Sequence, residues 1–113
     1  MIRSLQYFAL AVPDPEVGRQ FYTDFGMEGR ADGDRVVMRC ADRDQDQVVL
    51  VGGVKRKRLH HICLGTRADE IGPIKEKLEA GGVKLLDPPY DGAPDGVWFL
   101  DPDGVFVCLC VAE

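Results

Sequence analysis

Short apolar runs alternate with helical spacings along this chain, and the alternation happens twice. Tyr7-Phe8-Ala9-Leu10-Ala11-Val12 and His61-Ile62-Cys63-Leu64-Gly65-Thr66 are both runs of strand-forming side chains. Each is followed by a helix-start signal. In the first half Asp14 is placed to cap, Pro15 suits the first helical position and Glu16 complements the helix dipole. In the second half Asp69 and Glu70 take that part, with Pro73 still inside the tolerated first turn. Val17, Phe21 and Phe25 then recur every four residues, and Ile71, Ile74 and Leu78 at three and four, which predicts two amphipathic helices. Glycine stops each helix, at Gly26 and at Gly81-Gly82.

Further strands are predicted over 29–30, 35–40 and 47–51, and again over 83–86, 97–100 and 105–111. Turn formers fill 41–46 and Asp101-Pro102-Asp103-Gly104. Each half therefore reads strand–helix–strand–strand–strand. Neither half buries a sheet face well alone, so the expected fold is α+β: two tandem βαβββ modules, about 3–53 and 58–113, pairing into a curved mixed sheet with helices outside. A concave surface would lie between the curved halves, in a single domain over 1–113. Gly52-Gly53 and the basic run Lys55-Arg56-Lys57-Arg58 join the halves, and the run reads as a solvated linker rather than a nucleic-acid patch. The one long loop, 88–96, is of the kind that borders sites.

Composition narrows the setting. With 113 residues and 45% hydrophobic content, the chain is about one domain long and holds a core without metal or disulfide staples. A net charge of −5 argues against a nucleic-acid surface. No apolar run approaches the ~20 residues that span a bilayer. The start lacks a secretory signal, so no membrane association and a cytoplasmic location are expected. Cys40, Cys63, Cys108 and Cys110 have no Cys-x-x-Cys spacing and sit among apolar neighbours. They read as small buried hydrophobes in a reducing compartment.

Four landmarks carry a family resemblance: Leu5-Gln6-Tyr7-Phe8-Ala9-Leu10-Ala11-Val12-Pro13-Asp14, Phe21-Tyr22-Thr23-Asp24-Phe25-Gly26-Met27, Leu59-His60-His61-Ile62-Cys63-Leu64 and Phe99-Leu100-Asp101-Pro102-Asp103-Gly104. In this order they resemble the vicinal oxygen chelate superfamily, which includes glyoxalase I, bleomycin-resistance proteins and extradiol dioxygenases. Asp34-Arg35-Val36-Val37-Met38-Arg39, Asp46-Gln47-Val48-Val49-Leu50-Val51 and Leu59-His60-His61 are similar to the amino-terminal domain of type I extradiol dioxygenases. That resemblance implies a domain present twice in such enzymes, with Fe(II) in the second copy and no metal in the first. This chain holds one copy.

The same resemblance places metal ligands on the first and last strands of each module, here Tyr7, Val49, His61 and Cys108. Valine cannot ligate, neutral tyrosine is a poor ligand, and Cys108 replaces the expected glutamate. No cofactor is therefore expected in this domain, His61 and Cys108 being the only metal candidates. His60 points to the opposite strand face from His61, so the two cannot chelate one ion. Without metal, His61 is the candidate general base, for which Asp91 or Asp95 on the long loop would be the orienting carboxylate. A nucleophilic pair of His61 with Cys63 or Cys108 has the right residue types, although cysteines in apolar strands are usually inert.

Two functions follow. The first is a non-catalytic domain that packs against the catechol-cleaving half of an extradiol dioxygenase, as a covalent second domain. The alternative is a stand-alone, metal-free small-molecule binding protein of bleomycin-resistance type, a homodimer taking a small aromatic ligand. Its cavity would be lined by Tyr7, Met38, Val49, His61, Cys63, Trp98 and Cys108. A third reading is a divalent-metal glyoxalase-like lyase that completes its site from another subunit.

Overall fold

In the computed structural model, residues 1–90 and 93–112 are described, and the chain divides into two units, Tyr7–His60 and Met1–Gln6 with His61–Glu113. Asp91, one of the two loop carboxylates, lies outside the described residues.

The unit from Tyr7 to His60 takes most of β1 (Ser4–Ala11), then α1 (Pro15–Asp24), β2 (Glu28–Asp32), β3 (Arg35–Arg39) and β4 (Val48–Val51). Its strands lie in the order β2-β3-β4-β1, with β1 parallel to β4 and the other pairs antiparallel. The helix starts as its sequence dictates. Asp14 is extended and its carboxylate accepts from the Glu16 N–H at 3.0 Å, with Pro15 next in the chain. Gly26, at φ 111°, turns the chain out of the helix. Gly33, at φ 65°, supplies the two-residue turn between β2 and β3.

The apolar stripe of α1 does not face the sheet. Gly18 and Tyr22 do: a methyl group on Gly18 would sit 2.7 Å from Leu50 Cδ1, and Tyr22 packs on the core of Val36, Met38, Val48 and Leu50. Val17, Phe21 and Phe25 are 68%, 61% and 62% exposed. The cause is the close approach at Gly18. It turns the 18/22 row inward, and the row one residue earlier, rotated by about 100°, is carried outward.

The other unit contains β5 (Arg58–Thr66) from His61 onward, α2 (Ile71–Ala80) after a 3-10 turn at Ala68–Glu70, β6 (Val97–Leu100) and β7 (Phe106–Val111). Here β5 runs parallel to β7, and β6 runs antiparallel on the far side of β7. The strand expected over 83–86 is reduced to a single bridge between Leu86 and Trp98. Beyond Asp87, Pro88 and Pro89 have no N–H, so the ladder does not extend past this bridge. The second module is thus one strand short of the expected βαβββ pattern, while both units keep the mixed α+β character. Between β6 and β7, the Asp101 carboxylate accepts from the N–H groups of Asp103 and Val105 at 2.9 Å each, and Gly104 takes φ 86°.

The first residues dock on the end of β5. The Arg3 N–H donates to Gly65 O at 2.8 Å, and the Met1 ammonium meets Glu70 Oε2 at 2.8 Å. Thr66, fully buried, donates within reach of both Met1 O and Glu70. The Glu70 carboxyl is held down to about 2, chiefly by the hydrogen bond from the chain's ammonium and then by that from Thr66.

Of the four cysteines, Cys63 and Cys108 are buried, Cys110 is half-buried and Cys40 is exposed. Cys40 corrects the expectation of burial: it follows the last residue of β3, where the chain has already left the sheet for the 41–46 turn. No helix among the described residues is long and apolar enough to cross a membrane.

Candidate functional site

The site candidates fall into two groups, one on each unit. On the β5-β7-β6 sheet the register pairs His61 with Phe106, Cys63 with Cys108, Gly65 with Cys110, and Trp98 with Cys108. Strand alternation then places His61, Cys63, Phe106, Cys108, Cys110 and Trp98 on one face. His61, Cys63 and Cys108 are fully buried and Trp98 is 1% exposed. The His61 ring meets Trp98 edge-on at a centroid distance of 5.0 Å, and Tyr90 lies 6.0 Å away. Trp98 is fixed by its indole N–H, which donates to Pro94 O at 3.2 Å, and by Phe106 at 6.5 Å. Tyr90 and Pro94 come from the long loop, which therefore borders this histidine. Asp95 on the same loop is exposed.

Tyr90 and Phe106 are the site neighbours that sequence reasoning missed. Phe106 was within reach, since it stands two residues before Cys108 on the same strand and so shares its face. Tyr90 carried no signal beyond being an aromatic residue in a site-bordering loop.

The three thiols make a second feature of this face. Cys63 Sγ lies 2.8 Å from Cys110 Sγ, and Cys110 also reaches Leu64 O at 3.6 Å. Hydrogen bonds with Cys108 and Cys110, followed by burial, push the Cys63 thiol well above its ordinary range. A protonated, buried thiol is a weak nucleophile. The geometry therefore gives no support to Cys63 as the attacking partner of His61. His60, half-buried on the neighbouring position, is shifted down by burial and by the Arg58 charge.

On the Tyr7–His60 unit, Tyr7 and Val49 share a face with Ala9 and Val37. Met38 does not. It belongs to the helix-side core with Val36 and Leu50, and a methyl group on Gly29 would lie 2.6 Å from its sulfur. The expected lining residue on β3 is corrected to Val37, because one step along a strand changes the face. The Tyr7–Val49 face has a small apolar centre, and strand alternation and register place Arg35 and Arg39 of β3 and Arg30 of β2 on the same face as Val37.

The ferrous site of the resembled family can be tested on these positions. Opposite His61 on β7 stands Phe106, which has no donor atom, while Cys108 is paired with Cys63. Val49 is an alkyl side chain on the other unit's last strand. Among the described residues no group of three or more His, Cys, Asp or Glu side chains is placed to hold a metal ion. The residues present do not fit a three-ligand site of nitrogen and carboxylate donors.

Comparison with known proteins agrees with the fold. Metapyrocatechase 2 of Cupriavidus necator is 31% identical over 106 residues, which are 94% of this chain and 32% of that protein. The Mn(II)-bound glyoxalase from Novosphingobium aromaticivorans superposes with a TM-score of 0.79 at 23% identity, covering 96% of this chain and 39% of its own. The 2,2',3-trihydroxybiphenyl 1,2-dioxygenase from Sphingomonas wittichii superposes at 0.82 with 20% identity, covering all of this chain and 42% of its own. This chain thus spans about a third of the length of the curated relative. Residues 4–109 match the Glyoxalase/Bleomycin resistance protein/Dioxygenase superfamily profile, nearly the whole described chain, and with the two repeated strand–helix units in place the chain belongs to that superfamily.

Proposed function

We propose that this chain is a non-catalytic paired-module domain of an extradiol-dioxygenase-type protein, acting through packing and assembly beside a metal-bearing copy that cleaves catechols. The observation that carries the reading is the register at the candidate ligand positions. His61 faces Phe106, Cys108 faces Cys63, and the first module offers Tyr7 and Val49. Extradiol cleavage needs a metal to hold substrate and oxygen together, a role for which one histidine is insufficient. The likeness to about a third of Metapyrocatechase 2 supports the same division of labour. Cysteines placed in apolar strands, as Cys63 and Cys108 are, suit a reducing, cytoplasmic setting.

The test is direct. Purified chain is loaded anaerobically with Fe(II) or Mn(II), desalted and analysed for metal, then mixed with catechol and oxygen. The expected result is no stoichiometric metal that depends on His61 and no ring-cleavage product. A tight ion lost in His61→Ala, or catechol turnover by this chain alone, overturns the reading.

A further inference from the structure

Three of the four thiols share one face of the β5–β7 pair, and their contacts do not simply follow the register. Cys63 stands opposite Cys108, and Cys110 stands opposite Gly65. A sulfur contact nevertheless runs diagonally across the ladder, with Cys63 Sγ 2.8 Å from Cys110 Sγ. Gly65 permits the diagonal. It has no side chain to stand beside Cys110, and none would fit, since a methyl group would lie 2.6 Å from Gln6 Nε2 and 2.8 Å from Ser4 Oγ. The Cys110 sulfur leans toward β5, where it also reaches Leu64 O at 3.6 Å. The two cysteines are 47 residues apart in sequence, so the fold alone brings them together.

Burial differs between the two sulfurs, and the difference sets an order. Cys63 is fully buried, whereas Cys110 is half-buried and precedes Val111, which is 54% exposed at the end of β7. A small oxidant arriving from solvent meets Cys110 first. Cys108, fully buried, has no such route to it. Cys63 is a weak nucleophile toward a reagent in solution. At 2.8 Å from its target, proximity supplies what thiolate character does not. A disulfide spans about 2.05 Å between sulfurs, so closure asks for a shift of less than ~1 Å.

We propose that Cys63 and Cys110 form a reversible oxidation site, a dithiol that hydrogen peroxide converts to an intramolecular disulfide. In the first step the Cys110 sulfur attacks the peroxide, the O–O bond breaks, and Cys110 sulfenic acid and one water form. In the second the Cys63 sulfur attacks that of Cys110. The S–S bond forms, the S–O bond breaks, and the Cys63 proton leaves with the hydroxide as a second water. The two thiols lose two electrons and two protons, and the peroxide is reduced to two waters. Small thiol reductants reverse the reaction by exchange, as for the transient disulfides of reducing compartments. The inference does not depend on the proposed function.

The test uses the full chain carrying Cys40→Ser, which removes the exposed thiol that would link molecules to each other. The protein is treated with a few equivalents of hydrogen peroxide, alkylated, digested with trypsin without reduction and mapped by mass spectrometry. The expected product is a linked pair of peptides, 59–67 and 85–113, lighter by two hydrogens than their sum and separated again by dithiothreitol. Fragmentation of the linked pair between Cys108 and Cys110 assigns the sulfur without any further variant. Adding Cys108→Ala should keep the link and adding Cys110→Ala should abolish it, with circular dichroism confirming that each variant is folded. Adding Cys63→Ala should leave a sulfenic acid at Cys110 that dimedone traps. Absence of the link overturns the proposal, and so does a link through Cys108 or one whose yield grows with protein concentration. A Cys110 that dimedone does not label in the Cys63→Ala variant overturns the order of attack.

Discussion

Tyr7 and His61 occupy the same place in the two repeated units, yet their surroundings differ in kind. Around Tyr7 the sheet face has Ala9, Val37 and Val49 at its centre, and Arg30, Arg35 and Arg39 follow on the same face of β2 and β3. Around His61 it is Trp98, Phe106 and three thiols, a face of large rings and polarisable sulfur in which His61, Cys63, Cys108 and Trp98 are buried. The scaffold constrains strand order and alternation but leaves the side chains on each face free. The first module surrounds a small packed centre with arginines, while the second sets a histidine among rings and sulfur. This contrast shows why fold likeness alone cannot assign chemistry to the chain.

Deleting the buried ring of the second face should hurt most. Trp98→Ala is expected to cost about 3–5 kcal/mol, against roughly 1.5–3 kcal/mol for Val49→Ala on the first face, read as urea-unfolding free energies. Equal losses would mean that the two faces are packed alike. Next comes the entry to β6. A methyl group on Gly96 would sit 2.4 Å from Leu109 O and 2.9 Å from the Cys108 sulfur. Gly96→Ala should therefore cost about 1–3 kcal/mol, whereas Gly72→Ala, with open space around it, should not destabilise. A smaller effect belongs to the helix starts. Asp14→Ala removes a side-chain cap and should cost ~1 kcal/mol, while α2 has no such cap to lose. Comparison of Asp14→Ala with Asp69→Ala in thermal melts checks this asymmetry.

The weakest expected effect is acid sensitivity, to which each unit contributes one carboxylate. Glu70 is depressed from 4.5 to about 2, so its stabilisation is present above pH 4.5 and is lost as pH falls toward 2. In the other unit, burial alone would raise Asp46, but hydrogen bonds from Arg30 and Arg39 reverse this and hold it below 3.8. Its contribution disappears on the same acid side. Melting temperature measured between pH 6 and pH 2, about the usual carboxylate range, should fall less steeply in Glu70→Gln and in Asp46→Asn than in wild type. An unchanged slope in either variant would remove that residue from the account.

Local signals in the chain were mostly legible. Asp14-Pro15 announced α1, Gly26 ended it, and Asp101-Pro102-Asp103-Gly104 made its turn, because each acts within a few bonds of itself. The strand expected over 83–86 failed because pairing depends on neighbours across space, and only Leu86 meets one, at Trp98. At the candidate site, parity along β5 puts His61 and Cys63 on one face, and the register adds Trp98 and Cys108 to it. Met38 was read onto the wrong face, since a one-residue difference in register cannot be seen before the ladder is known. Tyr90 reaches His61 from a loop whose path no periodicity records.

The sequence by itself determined the repeat, the superfamily and the shortage of ligand-type side chains, because those are matters of residue identity and order. Tertiary structure alone decided that Phe106 rather than Cys108 stands opposite His61, that Cys63 and Cys110 touch, and that α1 turns Tyr22 inward and its phenylalanines out. The physical reason is shared. Register and helix rotation are set by which side chains can approach across space, as the absent methyl of Gly18 lets Leu50 do, and such distances are written nowhere along the chain.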